Sequence, residues 1–132
     1  MVRFVTSVSR FLPFAVLLGA FAVSSGTVQA AGNPARGAAI FQRCALCHSA
    51  EKDGGNGVGP NLFGVTGRAA ASLANFPYSP ALKNSKIVWT DDKLKAWVSS
   101  PARLVPGTRM SFPGLSNPGQ ADDLLAYLHT KK

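Results

Sequence analysis

The chain has 132 residues, with 14 Lys and Arg against 6 Asp and Glu for a formal net charge of +8, and it carries 13 Gly, 9 Pro and 2 Cys. A chain this short and this rich in glycine and proline cannot build a large apolar core unaided, and needs help from something it binds. Its basic residues (among them Arg43, Lys52, Arg68, Lys83, Lys86, Lys93, Lys95, Arg103 and Arg109) are scattered, neither gathered in a run nor interleaved with aromatics, which argues against nucleic acid and for an acidic protein partner.

Residues 1–30 read as a secretory leader. Arg3 and Arg10 give it a positive start, an apolar run extends from Phe11 to Val23, and Val28-Gln29-Ala30 is a small-x-small cleavage signal. Cleavage is expected after Ala30, leaving one domain over residues 31–132. An uncleaved membrane anchor needs about twenty apolar residues, whereas Ser24, Ser25 and Gly26 interrupt this run. The mature chain is therefore expected in the periplasm, peripheral to a membrane at most.

Asn33-Pro34 is a helix start, with Asn as cap and Pro at the first helical position. That helix is expected to pass through Gly37, Ile40 and Phe41 and to deliver "CALCH" (residues 44–48) at its C-terminal end. A glycine-rich turn, "DGGNGVGPNLFG", follows, and Pro77 and Pro80 keep "NFPYSP" irregular. Ser79 caps a short helix over "ALKN". Thr90, with Asp91 and Asp92 in the first turn, opens another through Leu94, Trp97 and Val98, which must end before Pro101. The loop "LVPGTRMSFPGLS" is too punctuated for regular structure. Asn117-Pro118 starts the last helix, with Ala121, Leu124, Leu125 and Leu128 on one face up to the terminal lysines. No segment alternates like a strand, so the fold class is all-α.

Cys44, Cys47 and His48 admit three readings. A redox disulfide is mounted on a βαβ framework that the pattern lacks. Structural zinc needs four ligands, and His129 has no partner at ligand spacing. C-x-x-C-H is the signal for c-type haem attachment. On a helical turn, residues i and i+3 share a face, so both thiols can reach the vinyl groups on one porphyrin edge while His48 projects over the ring to bind iron. Met110 lies in a Gly/Pro loop where no helix face would bury it, which favours a second axial ligand over core filler. His/Met ligation raises the potential and closes the iron to substrates.

With "CALCH", "GPNLFG", "NFPYSP", "IVW", "VPGTRMSFPG" and "LLAYL" in order over essentially the whole mature chain, the sequence resembles the class I cytochromes c. The resemblance implies the cytochrome c fold, with three main helices plus short helices and loops wrapped around one covalent haem c. It implies thioethers at Cys44 and Cys47, iron ligands at His48 and Met110, and a hydrogen bond from His48 to the Pro60 carbonyl. It also places the polar tips of Arg68, Tyr78 and Trp89 at the haem propionates. Gly37, Phe41 and Tyr127 resemble the contact between the first and last helices, although one residue fewer separates Phe41 from Cys44 than in the mitochondrial pattern.

Leu82 and Trp97 stand where mitochondrial members have an amide and a phenol beside the methionine, whereas Thr108, the third polar neighbour, is retained. Leucine makes no hydrogen bond and an indole N–H only donates, so a thinner water network is expected there. Arg109 occupies a position that is often lysine. Arginine stays protonated and is not expected to displace Met110. The function implied is a monomeric, non-enzymatic electron carrier between a quinol–cytochrome c reductase or dehydrogenase and a cytochrome oxidase or similar acceptor. Arg43, Lys52, Lys83, Lys86 and Arg109 are the candidates for steering it onto acidic docking surfaces. The alternative is a haem-based peroxidase or gas sensor with a labile sixth ligand.

Overall fold

Side chains that precede four of the five helices among the described residues set where they begin. In the computed structural model, which describes residues 31–132, α1 (Pro34–Phe41) starts where the Asn33 side chain accepts from the Arg36 N–H at 3.0 Å. Ser79 does the same for α2 (Pro80–Ser85), accepting from Leu82 N–H at 3.1 Å, and Thr90 for α3 (Asp91–Ser99), accepting from Lys93 N–H at 3.3 Å. Asn117 caps α5 (Pro118–Leu128) through the Gly119 N–H at 2.9 Å. Each cap supplies an acceptor to a first-turn N–H that has no partner within the helix. Between α3 and α5 lies α4 (Pro101–Leu104), a single turn with no side-chain cap, which the sequence pattern did not announce. The leader inferred from Arg3, Arg10 and the signal ending at Ala30 lies outside the described residues.

One expectation is corrected. As an α-helix, α1 stops at Phe41 and does not reach "CALCH". Hydrogen-bonded turns carry the chain onward: Cys44 N–H donates to the Phe41 carbonyl at 2.8 Å and His48 N–H to the Cys44 carbonyl at 2.9 Å. The described residues form no named strand, and Ala69 and Val88 make an isolated antiparallel bridge. The fold is all-α.

The apolar face read from α5 is the core: Ala121, Leu124, Leu125 and Leu128 are all buried. It packs chiefly on α1 and secondarily on α3, which in turn meets α4. Gly37 makes the first packing possible, because a Cβ there would run into the Asp123 carbonyl and come within 2.8 Å of the Tyr127 Cβ. One turn further along, the Phe41 and Tyr127 rings sit 5.1 Å apart, tilted by 41°. The helix crossing is thus kept despite the shortened segment before Cys44.

A buried carboxylate locks the same crossing. Asp123 on α5 accepts from the backbone N–H of Asn33 at 2.6 Å and from Arg36 Nε and Nη2 at 2.6 and 2.9 Å. It places a negative charge at the N-terminus of α1, where the helix dipole favours one. Ion pairs join Lys95 to Asp122 and Lys131 to Glu51, each at 2.6 Å. His129 Nε2 lies 2.9 Å from Asp91 Oδ1, so the histidine whose role was open in the sequence links the end of α5 to the first turn of α3.

Hydrogen bonds from Arg36 and Asn33 hold the Asp123 carboxyl below the usual carboxylate range. A carboxyl whose folded pKa lies below its unfolded value contributes stability that is complete above the unfolded value and is lost as pH falls through the folded one. Asp123→Asn is therefore expected to lower the melting temperature at neutral pH, with the gap from wild type closing as the pH drops through the carboxylate range. Thermal melts of the two holoproteins across that range check this.

Candidate cofactor site

The turns after α1 place Cys44, half-buried, and Cys47, exposed, at the wall of a cavity of 740 Å³. That volume is in the range of about 300–1,000 Å³ usual for cofactor and small-molecule sites. Every residue singled out in the sequence as a candidate for the site lines this one cavity, although they are spread over the chain from Cys44 to Met110. Leu94, Trp97, Leu124 and Leu128 of α3 and α5 form part of its wall, so some of the largest core side chains border the space rather than fill it.

His48 Nδ1 lies 2.7 Å from the Pro60 carbonyl oxygen. A carbonyl only accepts, so Nδ1 carries the proton and Nε2 keeps its lone pair, the form that binds a metal. Burial pushes the imidazole below its ordinary pKa, offset in part by Pro60, and this also favours the neutral ring. Gly59, which the sequence reading passed over, is what lets the backbone lie against the ring: a Cβ there would collide with the His48 imidazole. The signal available was the second glycine of "GVGP", directly before the histidine's hydrogen-bond partner. Nearby, Asn61 ties the loop together, donating to the Glu51 carbonyl at 2.9 Å and to that of Gly54, while its oxygen accepts from Phe63 N–H at 2.7 Å.

Met110, half-buried, lies on the same cavity, and its N–H donates to Thr108 Oγ1 at 3.2 Å. Thr108 thereby fixes the turn that presents the methionine. Arg109 Nη1 donates to the Pro77 carbonyl at 3.2 Å. Leu82 and Trp97 are both buried, and Trp97 packs on Trp89 with ring centroids 5.3 Å apart. Arg68 donates to the carbonyls of Phe63 and Asn61 at 3.0 and 2.9 Å. Burial draws its guanidinium below the ordinary value and pushes the Tyr78 phenol up, so Tyr78 keeps its O–H as a donor.

Two rival readings of the cysteine pair lose ground here. Burial raises the Cys44 thiol pKa, the opposite of the lowered pKa that makes a redox cysteine reactive. Among the described residues no group of three or more His, Cys, Asp and Glu side chains could hold a metal ion by themselves, and His129 is engaged by Asp91. A family model described as cytochrome c matches residues 34–132. The chain belongs to the cytochrome c family.

Its cofactor is accordingly haem c, attached through Cys44 and Cys47. The chain is 46% identical over 98 residues to a cytochrome c homolog of Rickettsia conorii, a match covering 74% of this chain and 56% of that protein. It is 44% identical over 98 residues to cytochrome c2 of Rhodoblastus acidophilus, covering 74% of this chain and 92% of that one. The solved structure of cytochrome cH from Methylobacterium extorquens superposes with a TM-score of 0.71 at 46% identity, covering 76% of this chain and all of the other. The chain thus spans little more than half the length of the Rickettsia relatives. Among the described residues no helix is long and apolar enough to cross a membrane.

In this cytochrome c family chain, Trp97 lines the cavity and packs on Trp89. Trp97→Phe is expected to move the midpoint potential by less than about 60 mV, the shift that is worth roughly a tenfold change in a one-electron equilibrium. Equilibrium redox titration checks this, and a larger shift assigns the tuning to the indole N–H.

Proposed function

We propose that this chain is a single-haem electron carrier in which His48 and Met110 would hold the iron. The observation that carries the reading is that His48, its Nδ1 engaged by Pro60, shares one cavity with Met110 and the cysteine pair. Bound haem supplies one-electron exchange between Fe(III) and Fe(II), at a potential that His/Met ligation raises. The chain's own residues position and shield. Cys44 and Cys47 anchor one edge, the Pro60 carbonyl fixes the imidazole tautomer and ring plane, and Thr108 holds the turn carrying Met110. Leu82, Trp89 and Trp97 keep water from the wall. Arg68, with guanidinium N–H groups left over from its two carbonyl contacts, joins Tyr78 and Trp89 in meeting the propionates.

The carrier works in the periplasm, between a quinol-oxidising complex or dehydrogenase and a terminal oxidase or similar acceptor. The cleavage signal ending at Ala30 supports the compartment, and relatives named cytochrome c and c2 support the carrier role. The five steering candidates fall into groups. Arg43 and Arg109 are exposed and line the cofactor cavity, whereas Lys83 and Lys86 line a smaller groove that shares Ala69 and Ala71 with it, and Lys52 is exposed elsewhere. Arg43 and Arg109 are thus placed to meet an acidic surface beside the cofactor.

An optical spectrum of the holoprotein, oxidised and dithionite-reduced, with and without carbon monoxide, tests the ligand set. The expected result is a sulfur-to-iron band in the ferric form and no shift with carbon monoxide. A ready shift overturns the closed carrier in favour of a peroxidase or gas sensor. The docking reading makes a separate demand: the rate of reduction by a cytochrome c reductase should fall as salt is raised, because exposed charges are screened beyond about 10 Å at 0.1 M, and Arg43→Gln should weaken that dependence.

A further inference from the structure

Three contacts anchor the methionine loop on the protein around it, and one of them joins two residues that line the cofactor cavity. Glycines with positive φ stand at both ends, Gly107 at 88° and Gly114 at 102°. Beyond the second, Leu115 N–H is hydrogen-bonded to the Val98 carbonyl at 2.8 Å, and before Met110 the Arg109 side chain reaches Pro77. Between them, Phe112 lies under the guanidinium of Arg43, whose central carbon is 5.5 Å from the ring centroid. Arg43 directly precedes Cys44 and is held at its backbone by the Ile40 carbonyl at 3.1 Å. Both Arg43 and Phe112 line the cavity.

We propose that Arg43 is a positioning residue, a strap that holds the methionine loop closed by joining Phe112 to the cysteine turn across the mouth of the cavity. The inference rests on the reading of Met110 as an iron ligand and goes beyond it. The loop is short of regular structure, so its closed state depends on such contacts, and Met110 would be free to leave a bound iron only if the loop moved out between its glycines. A cation over an aromatic face at an exposed site contributes about 0.5–1 kcal/mol. Losing it raises the open fraction by about two- to fivefold at 1.4 kcal/mol per decade. Arginine suits the position because its flat guanidinium stacks on the ring, whereas lysine offers a point charge.

Binding of imidazole to the ferric holoprotein reports the opening, because imidazole can take the sixth position only after Met110 has left. Arg43→Ala is expected to speed binding about two- to fivefold. Arg43→Lys should fall between wild type and Arg43→Ala, and Arg103→Ala, an exposed control on α4, should match wild type. Phe112→Leu keeps apolar bulk and removes the ring face. If the two side chains act through each other, adding Arg43→Ala to Phe112→Leu has no further effect. Equal rates in wild type and Arg43→Ala, or full additivity in the double variant, overturn the strap while leaving Met110 as ligand. Immediate, saturating binding to the wild type shows that Met110 is not bound, and overturns the ligand assignment and the strap together.

Discussion

The contact on which the rest of the molecule depends is the approach of two backbones at Gly37, where α1 lies against the Asp123 carbonyl of α5. It brings the ends of the domain together, and its consequences run along both helices. At the far end of α1, it sets where the cysteine turn can stand. On α5, it turns Leu124 and Leu128 toward the cavity, so one helix serves both the packing of the termini and the cofactor wall. Asp123 adds a charged lock to an otherwise apolar crossing, tying down the start of α1 by its backbone and by Arg36. A carboxylate with this many donors is satisfied where an unpaired one would be costly.

Around that frame the site is assembled almost entirely from loops. The cysteine turn, the loop through Gly59 and Pro60, the stretch from Arg68 to Tyr78 and the methionine loop each contribute side chains to one cavity, while helices supply its apolar backing. Loops hold such positions only if their own polar groups are tied down. Here the ties are specific: Asn61 bridges its loop, Arg68 spends two donors on the same segment, and Thr108 braces Met110. For the proposed electron carrier this would be an advantage, because groups already fixed around the cofactor have little to rearrange when its charge changes.

What could be read from the sequence was local. Asn33-Pro34, Ser79-Pro80, Thr90 and Asn117-Pro118 each marked a helix start because a cap acts within three residues, and the period of Ala121, Leu124, Leu125 and Leu128 gave the buried face. Cys44, Cys47 and His48 were legible for the same reason. The single turn of α4 was not, since it lacks a capping side chain and Pro101 reads equally as a helix stop. Nor was the end of α1 at Phe41, because turns continue its hydrogen bonding into the motif. Asp123 with Asn33, and His129 with Asp91, join residues 90 and 38 positions apart, and no spacing rule encodes such pairs. Gly59 was visible as a letter, but its purpose exists only once the His48 ring is in place.

The meeting of α1 and α5 also fixes an order of events. The first helix of the domain finds its partner only when residues as late as Tyr127 exist, so a chain still being made has nothing to close against. Joining such distant segments is an entropically slow step. During that interval Cys44 and Cys47 lie on open chain, accessible for the porphyrin to be joined to them. Covalent attachment can thus precede folding, and the last turns of polypeptide shut the molecule over a cofactor already in hand.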